Sequence, residues 1–380
     1  MRRPSIRRAG VVAVAAAALL GGVAGGAEAA QTTSAAANEA VFVQTNDPGG
    51  NSIVAFRRHA GGALAFAATY PTGGNGGRTS GSASDPLASQ SSLVYDSAAG
   101  LLLAVNAGSN TVSVFAVRGD RLHLRQVISS GGPFPVSIAV RGSLAYVLDA
   151  GLAGNVSGYQ INDGRLRPIP GSTRSLGLSN ANPPFFLSSP AQVGFTPAGT
   201  QLVVTTKNNG TVDVFSVNHA GLLSGHPASN PVAGAPFAFI FDAAGRLALV
   251  NAGDSSLGTF GINPNGKLSA VGPPVTDGQV AACWIIAARG FGYVANTGSG
   301  TISQYSINSS GTVTLVNAAA ATGISGPTDM ASAAHGEFLY DQGGQSSSVN
   351  AYHVGSDGSL TLIQSQTVPD GASQEGIVAT

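Results

Sequence analysis

Charge is what this 380-residue chain has least of: Asp, Glu, Lys and Arg make up only 9% of it, against about 25% in an ordinary globular domain. Lys plus Arg (18) balance Asp plus Glu (18). No basic surface is available to neutralise phosphates, so nucleic acid is excluded as a partner. Cysteine occurs once, as Cys283, so no disulfide within the chain can support the fold and packing must do so alone. The six histidines (His59, His123, His219, His226, His335 and His353) include no pair at ligand spacing, and neither a metal nor another cofactor is expected. No serine lies in a G-x-S-x-G elbow, which removes the commonest signature of a serine nucleophile. Low charge does not mean disorder here, because 43% of the residues are hydrophobic and can bury enough surface to offset chain entropy. The abundant residues are backbone punctuation, 53 Gly and 20 Pro, a composition that excludes a mainly helical protein.

The N-terminus carries an address. Arg2, Arg3, Arg7 and Arg8 precede an apolar run from Ala9 to Ala24, and Ala27-Glu28-Ala29 offers a cleavage site, the order of a secretory signal peptide. Residues 1–29 are therefore expected to be removed, leaving a flexible segment over 30–38 and a folded domain over 39–380. Arg2-Arg3 leaves open whether export is general or twin-arginine, and the destination is the exterior or the cell envelope. Beyond residue 30 no apolar run approaches the about twenty residues that cross a bilayer, so no membrane span is expected after cleavage.

The rest of the chain repeats. An apolar strand ending in Asn, Asp or Thr, a short turn, and a second strand ending in an aromatic recur seven times, most clearly from Leu102, Leu202, Leu247 and Gly292. The marker aromatics are Phe56, Phe115, Tyr159, Phe215, Phe260, Tyr305 and Tyr352, at successive spacings of 59, 44, 56, 45, 45 and 47. Each unit adds a preceding and a following strand, and turns such as Asn162-Asp163-Gly164 and Asn265-Gly266 supply the positive-φ residues of tight hairpins. Four-stranded antiparallel units of about 45 residues predict an all-β, seven-bladed β-propeller. The domain starts on a second strand, Ala40 to Gln44, and ends on what reads as an orphan first strand, Gln374 to Ala379. Together they are expected to share one blade and close the ring without a free edge.

Both long spacings come from crossovers on one face, near residues 71–90 and 170–190. The first is dominated by Gly and Ser and reads as a mobile linker. The second, with Pro183, Pro184, Phe185 and Phe186, reads as an ordered lid or an aromatic plug on the rim. The polar strand ends Asn46, Asn106, Asp149, Thr206, Asn251, Asn296 and Asp341 occupy the same face, where bonding to the backbone two residues on explains them. Residues opening the innermost strands line the channel mouth, so Ser92, Gln192, Trp284, Asp329 and Glu375, with Lys207 at the end of the adjacent strand, are the candidate ligand-binding residues. No catalytic residue is assigned.

The YVAN at Tyr293, the NxGxxTV turns at Asn106 and Asn296, and the SPAQVGFTPAGTQLVVT segment from Ser189 resemble lactonase-type seven-bladed propellers. That family includes 6-phosphogluconolactonase-like proteins and carboxymuconate cyclases, and it overlaps the YVTN repeat proteins. The resemblance implies Arg and His in a PRH string before the fourth blade and Glu in an NE string after its second strand. Here those strings are Pro190-Ala191-Gln192 and Thr206-Lys207, and Gln90-Ser91-Ser92 stands where an upstream His is expected. Two readings follow. The first is an exported, monomeric, non-catalytic propeller that binds an unidentified small molecule, glycan or envelope protein on the insertion-bearing face. The second is a lactonase- or cyclase-type enzyme with a relocated acid or base such as Asp329 or Glu375.

Overall fold

The computed structural model describes residues 39–380; the expected signal peptide and the segment 30–38 lie outside the described residues. Seven antiparallel meanders follow one another around a ring, with only three short 3-10 turns as helical structure among the described residues. Blade 2 shows the pattern: Leu93–Asp96 is innermost, then Leu101–Asn106, Thr111–Arg118 and Arg121–Ser129. The innermost strands of blades 3 to 7 are Pro135–Arg141, Pro190–Phe195, Pro236–Phe241, Ala282–Ala288 and Pro327–Ala333.

Burial follows position in the blade. Second strands such as Leu101–Asn106 and Gln201–Thr206 are buried at every residue, because neighbouring blades cover both faces, whereas the outermost Arg121–Ser129 is exposed at alternate positions or more. The core accordingly lies between blades; Phe42 and Ala55 of blade 1, for example, pack on Leu102 and Phe115 of blade 2. Second-strand tyrosines add a recurring staple. Tyr146, Tyr293 and Tyr340 each donate their hydroxyl to a glycine carbonyl of the next blade's outer hairpin, at Gly221 (2.7 Å), Gly358 (2.7 Å) and Gly62 (2.9 Å).

Closure is as expected in kind but shorter in extent. Blade 1 consists of Ala40–Gln44, Ser52–Arg58, Leu64–Pro71 and the C-terminal Ile377–Ala379, with Val41, Phe42 and Val43 opposite Ala379, Val378 and Ile377. Gln374 and Glu375 are not part of the strand; a 3-10 turn over Gly371–Ser373 precedes them, and Glu375 turns its carboxyl inward. The first insertion also departs from expectation. Instead of a mobile linker, its distal half is an ordered segment lying across the upper end of the channel, with Leu87, Ala88 and Ser89 fully buried.

Candidate functional site

The insertion is held by its polar atoms rather than by any hydrophobic period. Asp85 begins it with a local cap, accepting the Ala88 N–H at 2.6 Å, and left-handed backbone at Ala88 and Ser91 folds the chain back on itself. The inner strands of blades 3 to 7 all open on a register irregularity. Such bulges leave ladder groups unpaired; in blades 3 and 4 the insertion takes them up, and in blade 6 it bonds Ile285, just past the bulge. Ser89 Oγ donates to the Val136 carbonyl (2.8 Å), Gln90 N–H to the Ala191 carbonyl (3.0 Å), and Gln90 Oε1 accepts the Ile285 N–H (3.0 Å). Ser137 Oγ donates back to the Gln90 carbonyl at 2.7 Å. Glu375 accepts the Leu87 and Ser89 N–H groups at 2.5 and 3.1 Å. One short segment thus joins the C-terminal segment to the inner strands of three blades.

Above this plug lies a cavity of about 560 Å³. Its floor carries Asp85, Lys207 and Cys283, and its walls include Phe186, Leu187, Phe237 and Ile324. The two insertions meet at its edge: Ser80 N–H donates to Pro184 (2.8 Å), and Phe186 N–H donates to Ser80 (3.1 Å). The second insertion is therefore an ordered wall, with Phe185 and Phe186 packed edge to face at 4.8 Å.

Lys207 leaves the second strand of blade 4 and is only 2% exposed. Its Nζ donates to the Ala88 carbonyl at 2.5 Å and sits 4.9 Å from the centre of the Phe237 ring. Burial disfavours the ammonium and lowers its pKa to about 8, opposed by Asp85, Cys283 and Glu375. Burial likewise raises Asp85 to about 6, against the hydrogen bond with Glu375 and the positive charge of Lys207. Glu375 is raised well above the usual range, by burial first and by Asp85 second. The two carboxyls share a hydrogen bond, so near neutrality the pair holds one proton and one negative charge, which the Lys207 ammonium balances. The Cys283 thiol is pushed up chiefly by burial and stays neutral.

The structure brings only two of the six predicted residues to this floor. Lys207 lines the cavity, and Glu375 lies beneath it, supporting the plug. Ser92 Oγ donates to the Glu375 carbonyl at 3.1 Å. Gln192 bridges to blade 5, its amide donating to and accepting from the Phe239 backbone at 3.1 and 2.7 Å. Trp284 is fully buried, donates its indole N–H to the Ser89 carbonyl at 2.7 Å and packs on Phe237. Asp329 is buried against the closure, accepts the Met330 N–H at 2.9 Å, and is raised to about 7 mainly by burial. Asp85 was missed by the sequence reading; the available signal was that it is the only acidic residue between 71 and 90. The polar strand ends do not bond to the backbone two residues on as expected: Asn106, Asn251 and Asn296 donate to hydroxyls of the next strand, and Asp149, Asn251, Asn296 and Asp341 each keep one buried oxygen without a partner among the described residues. Among the described residues no group of three or more His, Cys, Asp or Glu is arranged to hold a metal ion.

Comparison with known proteins agrees with this architecture. Residues 261–373 match the family model for lactonases with a seven-bladed β-propeller. No curated protein matches the chain. Among solved structures, a periplasmic gluconolactonase of Pseudomonas aeruginosa superposes with a TM-score of 0.69 at 18% identity, covering 90% of this chain and 98% of the other. A candidate 6-phosphogluconolactonase of Bacteroides fragilis gives 0.68 at 18%, covering 89% and 98%. Virginiamycin B lyase of Staphylococcus aureus gives 0.53 at 11%, covering 74% and 85%. At these identities the structural likeness is one of fold, that of a seven-bladed propeller, and the stretch 261–373 is similar to the lactonase family of such propellers.

Proposed function

We propose that this lactonase-like propeller is an exported protein whose insertion-bearing face binds a small, neutral, largely apolar molecule that presents a carbonyl or hydroxyl oxygen to Lys207. The observation that carries this reading is the pairing of apolar walls, Phe186, Leu187, Phe237 and Ile324, with a buried ammonium on the floor. The charge on that ammonium is already balanced by the Asp85–Glu375 pair. An anionic ligand would add a buried charge without a partner, which is costly, whereas a neutral oxygen acceptor gains a charge-assisted hydrogen bond. Titration calorimetry with 1-hexanol, δ-valerolactone and hexanoate at pH 7 tests it: the two neutral ligands should bind, hexanoate at least about tenfold more weakly, and Lys207→Met should weaken the neutral ligands. Preference for hexanoate, or indifference to Lys207→Met, would remove the reading. Export is tested by expressing the chain with and without residues 1–29 and assaying the medium.

One observation favours a catalytic reading in second place. A proton-sharing carboxyl pair beside a cation supplies an acid, a base and a polarising charge within one cavity, with Asp85 in the place of the residues that differ at Ala191 and Lys207. Hydrolysis of δ-valerolactone that is lost in Asp85→Asn would establish it; turnover unaffected by that change would end it.

A further inference from the structure

Lysine is nearly absent from the chain. Of the 18 basic residues only Lys207 and Lys267 are lysines. Lys267 is exposed on an outer hairpin, while Lys207 is buried on the cavity floor. Arginine and lysine differ in one respect that matters in such a place: arginine stays protonated, whereas a desolvated lysine releases its proton and becomes a nucleophile. We propose that Lys207 captures a small aldehyde or ketone in this cavity as a Schiff base. The proposal rests on the reading of the cavity as a small-molecule site and names the chemistry that follows binding.

The geometry supplies what the reaction needs. With its proton passed to the Asp85–Glu375 pair, the amine keeps one N–H on the Ala88 carbonyl and has a lone pair free. The nitrogen adds to the carbonyl carbon, the C=O π electrons move to oxygen, and one proton passes from the nitrogen to that oxygen through the carboxyl pair, giving a neutral carbinolamine. The pair then protonates the carbinolamine hydroxyl, the C–O bond breaks, water leaves, the nitrogen lone pair forms C=N, and the protonated imine returns its N–H proton to the pair. The sum is carbonyl plus amine to imine plus water, with no oxidant or reductant. The apolar walls exclude bulk water that would reverse the condensation. The groups facing the amine are Asp85, Glu375 and Cys283, with the Phe237 ring against it; at neutral pH the carboxyl pair carries one negative charge and the thiol none, so partial deprotonation near pH 8 persists with every neighbour included.

The test is a reductive trap on the full chain. Native protein is incubated with hexanal and cyanoborohydride, and the alkylated positions are mapped by peptide mass spectrometry; Lys267 and the terminal amine are the amines that compete with Lys207. Modification at Lys207 is expected to exceed that at the exposed Lys267 by about tenfold or more at pH 7.5, because burial lowers the Lys207 amine to about 8 and leaves a large fraction of it neutral. Unfolding in urea should erase the difference, and Lys207→Arg should remove the internal adduct. Alkylation of Lys267 and the terminus without Lys207, or equal rates in native and unfolded protein, overturns the proposal, and wild-type mapping decides this even if the variant fails to fold. Binding of 1-hexanol separates the two claims: if hexanol binds and Lys207 is not trapped, the Schiff-base chemistry alone is wrong; if neither occurs, the cavity reading falls with it.

Discussion

Asp329 offers the sharpest measurement of how strongly the closure of this ring is tuned by burial. Its carboxyl titrates near 3.8 when exposed and at about 7 in the folded protein, chiefly because it is buried, with Asp85 adding repulsion and backbone N–H groups opposing the shift. An acid with a raised folded pKa stabilises the fold fully below its unfolded pKa and loses that contribution as pH rises through the folded value, because the unfolded chain has already released the proton. Working the two titrations through, the loss between pH 5 and pH 8 is about 2–3 kcal/mol, or a fall of a few °C in melting temperature for a domain of this size. Asp329→Asn keeps the oxygen that accepts the Met330 N–H and removes the titration. Urea unfolding of both proteins at pH 5, 6, 7 and 8 should show the variant gaining on the wild type by about 2–3 kcal/mol across that range. Of the other raised carboxyls, Asp149 and Glu375 contribute to both proteins and cancel in the difference, whereas Asp85 and Asp341 interact with Asp329 and leave a smaller coupled part. A gap between the two that stays constant from pH 5 to pH 8 would show that Asp329 is not held protonated by its surroundings.

Three further outcomes follow from the same contacts. Gln192→Ala strips both bonds from the Phe239 backbone and leaves buried groups unpaired, which should cost about 2–3 kcal/mol in urea unfolding while hexanol affinity in the cavity stays within about twofold; a selective loss of affinity would return Gln192 to the ligand site. Ile377→Ala empties a core position on the closing strand and should destabilise by about 2–4 kcal/mol, whereas an unchanged melting curve would mean that the shared blade contributes little to closure. Gln90→Ala removes the acceptor for the Ile285 N–H and loosens the segment whose Ser89 carbonyl receives the Trp284 indole. Since Trp284 is the sole tryptophan, its emission should move to longer wavelength, and an unshifted spectrum would argue that the plug is not held through Gln90.

The ring was legible because its information is periodic. Each blade needs apolar residues on both faces of its middle strands and left-handed residues in its hairpins, and those demands recur about every 45 residues, as the burial of Leu101–Asn106 and Gln201–Thr206 illustrates. The plug was illegible for the opposite reason. Its buried residues Ala88, Ser89 and Gln90 have the composition of a flexible loop, and what orders the segment is a set of partners from 47 to 288 positions away, among them Val136, Ile285 and Glu375. Site residues were misjudged at the same seam. Aligning repeats put Gln192 and Trp284 at the start of innermost strands, which is where they lie, but Gln192 is turned onto the Phe239 backbone and Trp284 onto Phe237 beside the bulges there. Neither turn has a sequence signal. Asp85 carried a faint one, as the lone acid in its insertion.

The substitution of Lys207 where lactonase-type propellers are expected to carry Glu looks, in sequence, like the end of any acid-base capacity on this face. In the folded protein the acid arrives by another route. The first insertion delivers Asp85 to the cavity floor, the C-terminal segment delivers Glu375 beneath it, and the lysine balances the single charge that the two carboxyls retain. Each of the three depends on the others: an unaccompanied ammonium at 2% exposure would be expelled or neutralised, and an unaccompanied carboxylate pair would hold both protons. The arrangement also couples the site to the integrity of the ring, because Glu375 receives the plug's N–H groups two residues before the strand that pairs with Val41–Val43. A perturbation that frees the closing strand must therefore withdraw the partner of Asp85 and leave Lys207 facing one carboxylate instead of a proton-sharing pair.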